Sequence, residues 1–393
     1  MKKILFWAAV TFFAAVSCDK FEGEALVKES NVPTFKASVE DANSSEDAES
    51  RTKIDGLVSY WDGAERIWVL NGAESGSWKK AYAATAEKQA NITFKEEADY
   101  ELSGTNYLAI YPAGVADYAT WSGDFAAVAK GLKLTSDQTG VLGSYDPSTH
   151  IAIATAEEGD YNLHFKNVTS LVKFTLTSDN VTEVCFYGNN SEVISGKFDV
   201  AYNEGNPVVS GTKSYQGENN TWAKIKAKSG ALAKGTYYIS VLPATFSKGF
   251  AVESIDKTYQ FKSRKKDNTN YTLGRKQIMD LGDIAWKGKL YLNAGGSGLW
   301  DQGSAWFSAY FMDANKSNTK FVSMTKNAKG VYVCDIPSDK TWKYVIFVRN
   351  DPKDKTADWT NVWNQTADLE LQKGKNCYKI TGWSYGDWSE YAQ

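Results

Sequence analysis

The chain has 393 residues, a formal net charge of -3 and 14% aromatic residues, a length that suits two or three domains each burying its own core. Its five arginines, Arg51, Arg66, Arg264, Arg275 and Arg349, stand singly along the sequence, so nucleic acid is not expected as a partner. The two histidines, His150 and His164, lie in separate segments and no calcium-loop pattern of alternating Asp and Asn occurs, so neither a metal nor a cofactor is expected.

Residues 1–17 start Met1-Lys2-Lys3 and continue as an apolar run too short to span a bilayer, the pattern of a secretion signal. The run ends in Ala15-Val16-Ser17-Cys18, which resembles a bacterial lipobox, with Ala15 where leucine is usual. That resemblance implies acylation of Cys18 and a membrane partner reached through the lipid, each buried methylene contributing roughly 0.8 kcal/mol. Residues 18–31 read as an acidic tether, and from 19 to 50 nine acidic residues face three lysines. Localisation at the outer membrane or cell surface follows from these features.

Beyond the tether, period-two runs bounded by Gly, Asp, Asn or Pro recur at residues 57–61, 66–70, 107–111, 170–176 and 236–242, and no dozen-residue amphipathic helix interrupts them. An all-β architecture of sandwiches is expected. Residues 32–178 and 179–286 are assigned to a first and a second β-sandwich, and 287–393 to a smaller third. Gly196 lets the chain turn into Phe198, and Pro243 stops a strand by removing a donor.

Two stretches carry a family resemblance. Arg51-Thr52-Lys53-Ile54-Asp55-Gly56 leads to Trp61-Asp62-Gly63-Ala64-Glu65-Arg66-Ile67-Trp68-Val69, and Val193-Ile194-Ser195-Gly196-Lys197-Phe198 precedes Tyr237-Tyr238-Ile239-Ser240-Val241-Leu242-Pro243. Over residues 34–285 the chain resembles the fimbrillin-like family of surface lipoproteins and pilus subunits, built from two tandem β-sandwiches. Ala64-Glu65 stands where that family usually has Gly-Asp. The resemblance implies other fimbrial subunits as partners. It also marks Arg51 as a candidate processing site, where cleavage would discard the alternating segment 32–39; the alternative is an exposed arginine in a polar loop.

Residues 289–393 hold seven of the fourteen tryptophans. The strands Trp306-Phe307-Ser308-Ala309-Tyr310-Phe311 and Tyr344-Val345-Ile346-Phe347-Val348, with Gly330-Val331-Tyr332 and Asn364-Gln365-Thr366, resemble starch-binding modules of carbohydrate-binding module families 25 and 26. The resemblance implies a glycan ligand, an α-glucan among the candidates. Alternation puts Phe307, Ala309 and Phe311 on the core face and turns Trp306 and Tyr310 outward, roughly 13 Å apart. The family has two aromatics on this strand, and Ser308 occupies one of their places.

The loop 350–365 adds Trp359 and Trp363 to Gln365, whose amide both donates to and accepts from hydroxyls. Trp306, Tyr310, Trp359, Trp363 and Gln365 are therefore the candidate carbohydrate-binding residues. The competing reading buries Trp363 and uses Trp359 to cover the end of the sandwich. Trp383 and Trp388 are read as sealing the last strand. Cys334 and Cys377 are candidates for one disulfide, or for small buried apolar residues. The reading is a non-enzymatic surface lipoprotein that binds carbohydrate; the alternative is a fimbrial tip or accessory subunit that recognises a protein.

Overall fold

Strands account for nearly all the regular structure of the computed structural model, which describes residues 34–39, 54–55, 58–59, 66–70, 78–83, 92–96, 105–116, 119–203, 205–211, 221–284, 288–295 and 298–391. Cys18 and Arg51 lie outside these residues. Among the described residues the chain is all-β, with one 3-10 turn at Ala113–Val115.

Seven strands close on themselves in the order Phe35–Val39, Asn162–Asn167, Ala152–Glu157, Asn106–Tyr111, Arg66–Leu70, Trp78–Ala83 and Ile92–Glu96. Phe35–Val39 closes the ring, running parallel to Asn162–Asn167 and antiparallel to Ile92–Glu96. The apolar run Asn106–Tyr111 is explained by burial on both faces. Tyr107, Ala109 and Tyr111 pack inside the ring with Phe35, Phe94 and Phe165, while Leu108 and Ile110 face a second core with Leu132, Phe198 and Leu242.

A second body stacks Gly235–Val241, Ser170–Leu176 and Ile278–Ile284 over a five-stranded sheet, Lys262–Asp267, Phe250–Asp256, Val181–Gly188, Trp222–Lys226 and Asp137–Thr139. Val172, Phe174, Phe186, Ile225 and Ile239 share its core. Hydrogen-bonded ladders pass over the sequence position near 178. Ala129–Leu134 pairs with Gly196–Asn203, Asp137–Thr139 with Trp222–Lys226, and Ser170–Leu176 with both Gly235–Val241 and Ile278–Ile284. Gly196 opens its strand at φ 101°, a conformation that only glycine adopts without strain.

The C-terminal body is a sandwich of two sheets. One orders Thr325–Lys326, Tyr332–Asp335, Lys289–Asn293, Cys377–Ile380 and Gly386–Ser389; the other orders Thr319–Ser323, Trp306–Met312, Tyr344–Asn350 and Val362–Gln365. Between them lie Leu290, Leu292, Trp300, Phe307, Ala309, Phe311, Trp342, Val345 and Phe347. Trp300 and Trp342 are 0% and 2% exposed, and emptying either site would cost about 3–5 kcal/mol. Trp388 packs on Phe347 and Tyr378, whereas Trp383 is exposed.

This body is bolted to the second one. The Tyr259 hydroxyl donates to the Trp342 carbonyl at 2.6 Å and accepts from the Trp342 N–H at 2.7 Å, and Gly374 N–H donates to the Tyr259 carbonyl. Burial pushes the Tyr259 hydroxyl up to about 12.

Cys334 and Cys377 do not pair; both are free and buried. They lie opposite Leu290 and Tyr291, on the two sides of Lys289–Asn293. Two strand spacings separate them by roughly 10 Å, beyond disulfide reach, and the pleat points them to opposite faces.

Candidate functional site

The outer face of the Trp306–Met312 sheet is built by alternation. Phe307, Ala309 and Phe311 enter the core, so Trp306, Ser308, Tyr310 and Met312 face away from it. Opposite Tyr310 on the edge strand stands Phe321, and opposite it on the other side Ile346. Tyr310, Met312, Phe321, Tyr344, Ile346, Val348 and Val362 form a second apolar layer on this face.

Trp359 completes that layer. Its ring meets Tyr310 at 4.7 Å and 68°, and Phe321 at 5.0 Å and 69°, both edge-to-face, while Tyr310 and Phe321 touch at 4.5 Å. Edge-to-face packing aligns the positive ring edge with a negative face and is worth roughly 0.5–1.5 kcal/mol per pair. Trp359 remains 43% exposed. The result is an aromatic ledge with a fixed floor.

The loop behind the ledge is stapled. Trp306 Nε1 donates to the carbonyls of Asp351 and Asp354 at 2.8 and 2.7 Å, and Asn361 Nδ2 donates to Asp354. Asp358 accepts from the Thr360 N–H and hydroxyl, forming a tight Asx turn beside Trp359. Trp306 thus spends its polar edge on holding the loop, with Lys355 Nζ 5.7 Å above its ring. Gln365 is exposed and lies opposite Val348 on the same outer face as Tyr310. Two strands and two residues separate Gln365 from Tyr310, roughly 12 Å.

Trp363 goes elsewhere. Gln365 pairs with Val348 and Asn364 with Arg349, but Asn350 then pairs with Val362, so Trp363 is the extra residue of a β-bulge. A bulge re-aims a side chain, and this one turns Trp363 to the end of the sandwich. There its ring centroid lies 4.8 Å from Arg349 Cζ, with Trp383 6.0 Å from the same atom. Arg349 takes an inward position opposite Phe307 and donates from Nε to the Trp300 carbonyl and from Nη2 to the Gln302 carbonyl, each at 2.8 Å. Burial pulls its guanidinium below the ordinary arginine value. Gly303, at φ 64°, passes so close that a Cβ there would meet Trp363 at 3.2 Å.

Of the five residues singled out from the sequence, Trp306, Tyr310, Trp359 and Gln365 share one face, and Trp363 leaves it. Trp363 is 45% exposed, so it is not a core residue. Sequence reasoning missed Phe321, whose place beside Tyr310 depends on strand pairing. It also missed Arg349, the one charged residue at an inward position of an otherwise apolar strand, which was a readable signal. Among the described residues no group of three His, Cys, Asp or Glu side chains is placed to hold a metal ion.

No family model and no curated protein matches the chain. Among solved structures, the chain aligns with a Bacteroides ovatus protein described as a cell adhesion protein, at 12% identity and a TM-score of 0.39, over 65% of this chain and 92% of that one. A similar Bacteroides eggerthii protein aligns at 9% identity and a TM-score of 0.30, over 65% and 87%. The tip fimbrial protein Mfa3 of Porphyromonas gingivalis, truncated at its C-terminus, aligns at 7% identity and a TM-score of 0.28, over 77% of this chain and 100% of that one.

Proposed function

We propose that the chain is a non-catalytic cell-surface adhesion protein in which two β bodies carry a C-terminal recognition module over residues 287–393. The reading rests on the tandem sandwich pattern of the sequence and on the seating of the module through Tyr259. A module fixed in this way presents its outer face at a set angle instead of trailing on a linker. The observation that carries the proposal is Trp359, left half in solvent on a floor of Tyr310 and Phe321.

A flat, pre-oriented ring binds the C–H face of a sugar at little entropic cost, and the Gln365 amide selects hydroxyls at the rim. The ligand proposed for the ledge is a neutral glycan, with α-glucans first in line from the sequence resemblance. The test is a glycan array probed with the full chain and with Trp359→Ala combined with Gln365→Ala. Binding by the parent and its loss in the variant are expected; silence of the parent across the array would sink the carbohydrate reading.

A second reading, a fimbrial tip or accessory subunit, is favoured by one observation. Phe35–Val39 is paired on both sides, with Phe35 and Ala37 buried, yet lies on the far side of Arg51 in sequence from every other strand of its ring. Digestion with an arginine-specific protease would then yield ladders that resist mild denaturation, and a monomeric product would count against polymerisation. Display at the surface is assigned to the lipid on Cys18. Cys18→Ala is expected to move the protein from the membrane fraction to the soluble one, and an unchanged distribution would remove the lipid from the account.

A further inference from the structure

We infer that the end of the C-terminal sandwich holds a second binding site, built on Arg349 together with Trp363 and Trp383, and that it takes a carboxylate-bearing sugar such as a uronate. The inference rests on the reading of this module as a glycan-recognition domain, but it concerns a different surface and a different ligand charge from the Trp359 ledge.

The argument starts from the charge. Arg349 is 7% exposed, and among the described residues it forms no ion pair with a carboxylate. Its two hydrogen bonds go to backbone carbonyls, from Nε and Nη2. Among the described residues Nη1 has no hydrogen-bond partner and is not one of the buried unpartnered atoms, so this end of the fork reaches the surface. A guanidinium held out of bulk water without a counter-ion is costly, and carbonyl dipoles and ring faces offset only part of that cost. An anion at Nη1 would supply the missing partner. A planar fork matches a carboxylate better than any other side chain does.

The surroundings specify the rest of the ligand. Trp363 and Trp383 both lie beside the guanidinium and are 45% and 47% exposed, and Tyr385, two residues after Trp383, is 66% exposed. Their placement is fixed. Trp300 Nε1 and Asn364 Nδ2 both donate to the Trp383 carbonyl, and the Gly303 backbone closes under Trp363. Flat apolar rings beside a cationic edge suit a ligand ring with C–H faces and one carboxylate, which describes a uronate residue. An acidic peptide would meet the charge but leave the ring faces without a flat partner.

The test titrates the full chain with oligogalacturonate, the same oligomer methyl-esterified, a maltooligosaccharide and polyglutamate, following heat and tryptophan fluorescence. Binding of the acid is expected, with esterification weakening it about tenfold or more, because the ester keeps the ring and loses the charge. Trp383→Ala, a surface change that spares the Arg349 hydrogen bonds, is expected to weaken acid binding by about the same factor, and Trp359→Ala to leave it unchanged. Equal binding of acid and ester, an inert Trp383→Ala, or no response to oligogalacturonate would overturn the site. Trp383-dependent binding of polyglutamate without uronate binding would overturn the sugar assignment. Binding of the maltooligosaccharide alone, lost in Trp359→Ala, keeps the ledge and refutes this site; binding of the uronate alone does the reverse.

Discussion

Two groups of exposed tryptophans in one module stand on different floors. Trp359 rests edge-on against Tyr310 and Phe321, while Trp363 and Trp383 lie beside the Arg349 guanidinium. Rings on rings make an apolar ledge with no net charge; rings around a half-paired cation make a surface that attracts anions. The contrast teaches that tryptophan supplies the area, and the residue beneath it sets the charge of the surface.

The largest change that breaks this comparison is Arg349→Ala. It leaves the Trp300 and Gln302 carbonyls without their donor and empties the space under Trp363, so a loss of about 3 kcal/mol in urea unfolding is expected. Arg349→Lys should recover little, because an ammonium cannot span both carbonyls. A stability within a few tenths of a kcal/mol of the parent would remove Arg349 as the floor of the end site.

Next comes Tyr259→Phe, which keeps the ring and deletes the hydroxyl that bonds Trp342 twice. A loss of about 1–3 kcal/mol is expected, with both exposed tryptophan surfaces of the module intact. Hydrogen exchange at the Trp342 amide provides the check: protection should fall there first.

Trp359→Ala should cost about 1–3 kcal/mol in stability, since it removes two edge contacts and leaves the core untouched. A destabilisation several times larger would make Trp359 a structural plug and not a ledge.

The smallest effect is a pH dependence in the loop that Arg349 holds. Burial raises the Asp301 carboxyl, but the Lys326 ammonium and the Tyr332 hydroxyl outweigh it, so the group lies below its ordinary value. A carboxyl depressed on folding contributes stability that is present above its unfolded value, near 3.9, and is lost as pH falls through the folded one. Asp301→Asn should therefore flatten the acid limb of the stability profile by less than about 1 kcal/mol. An unchanged limb would separate this carboxylate from the loop.

Alternation made the inward and outward residues of Trp306–Met312 legible, because one strand's pleat depends on that strand alone. Residues 107–111 read only as a strand of the period-two kind; the structure explains their unbroken apolar run by cover on both faces. What stayed hidden depends on partners distant in sequence. The bulge that re-aims Trp363 exists only in the pairing with Arg349 and Asn350. Phe321 joins the ledge through pairing with Tyr310, and Cys334 is kept from Cys377 by a strand lying between them. The ladders over position 178 belong to the same class, since Ser170–Leu176 reads as a strand but its two neighbours come from 235–241 and 278–284.

The claim that this module is a recognition surface meets its most direct test in one glycan array, read with the full chain, with Trp359→Ala and with Trp383→Ala. The account predicts neutral glycans that the parent retains and Trp359→Ala loses, with Trp383→Ala leaving those signals in place. A parent chain silent on every glycan, or a Trp359→Ala pattern identical to the parent's, would contradict it.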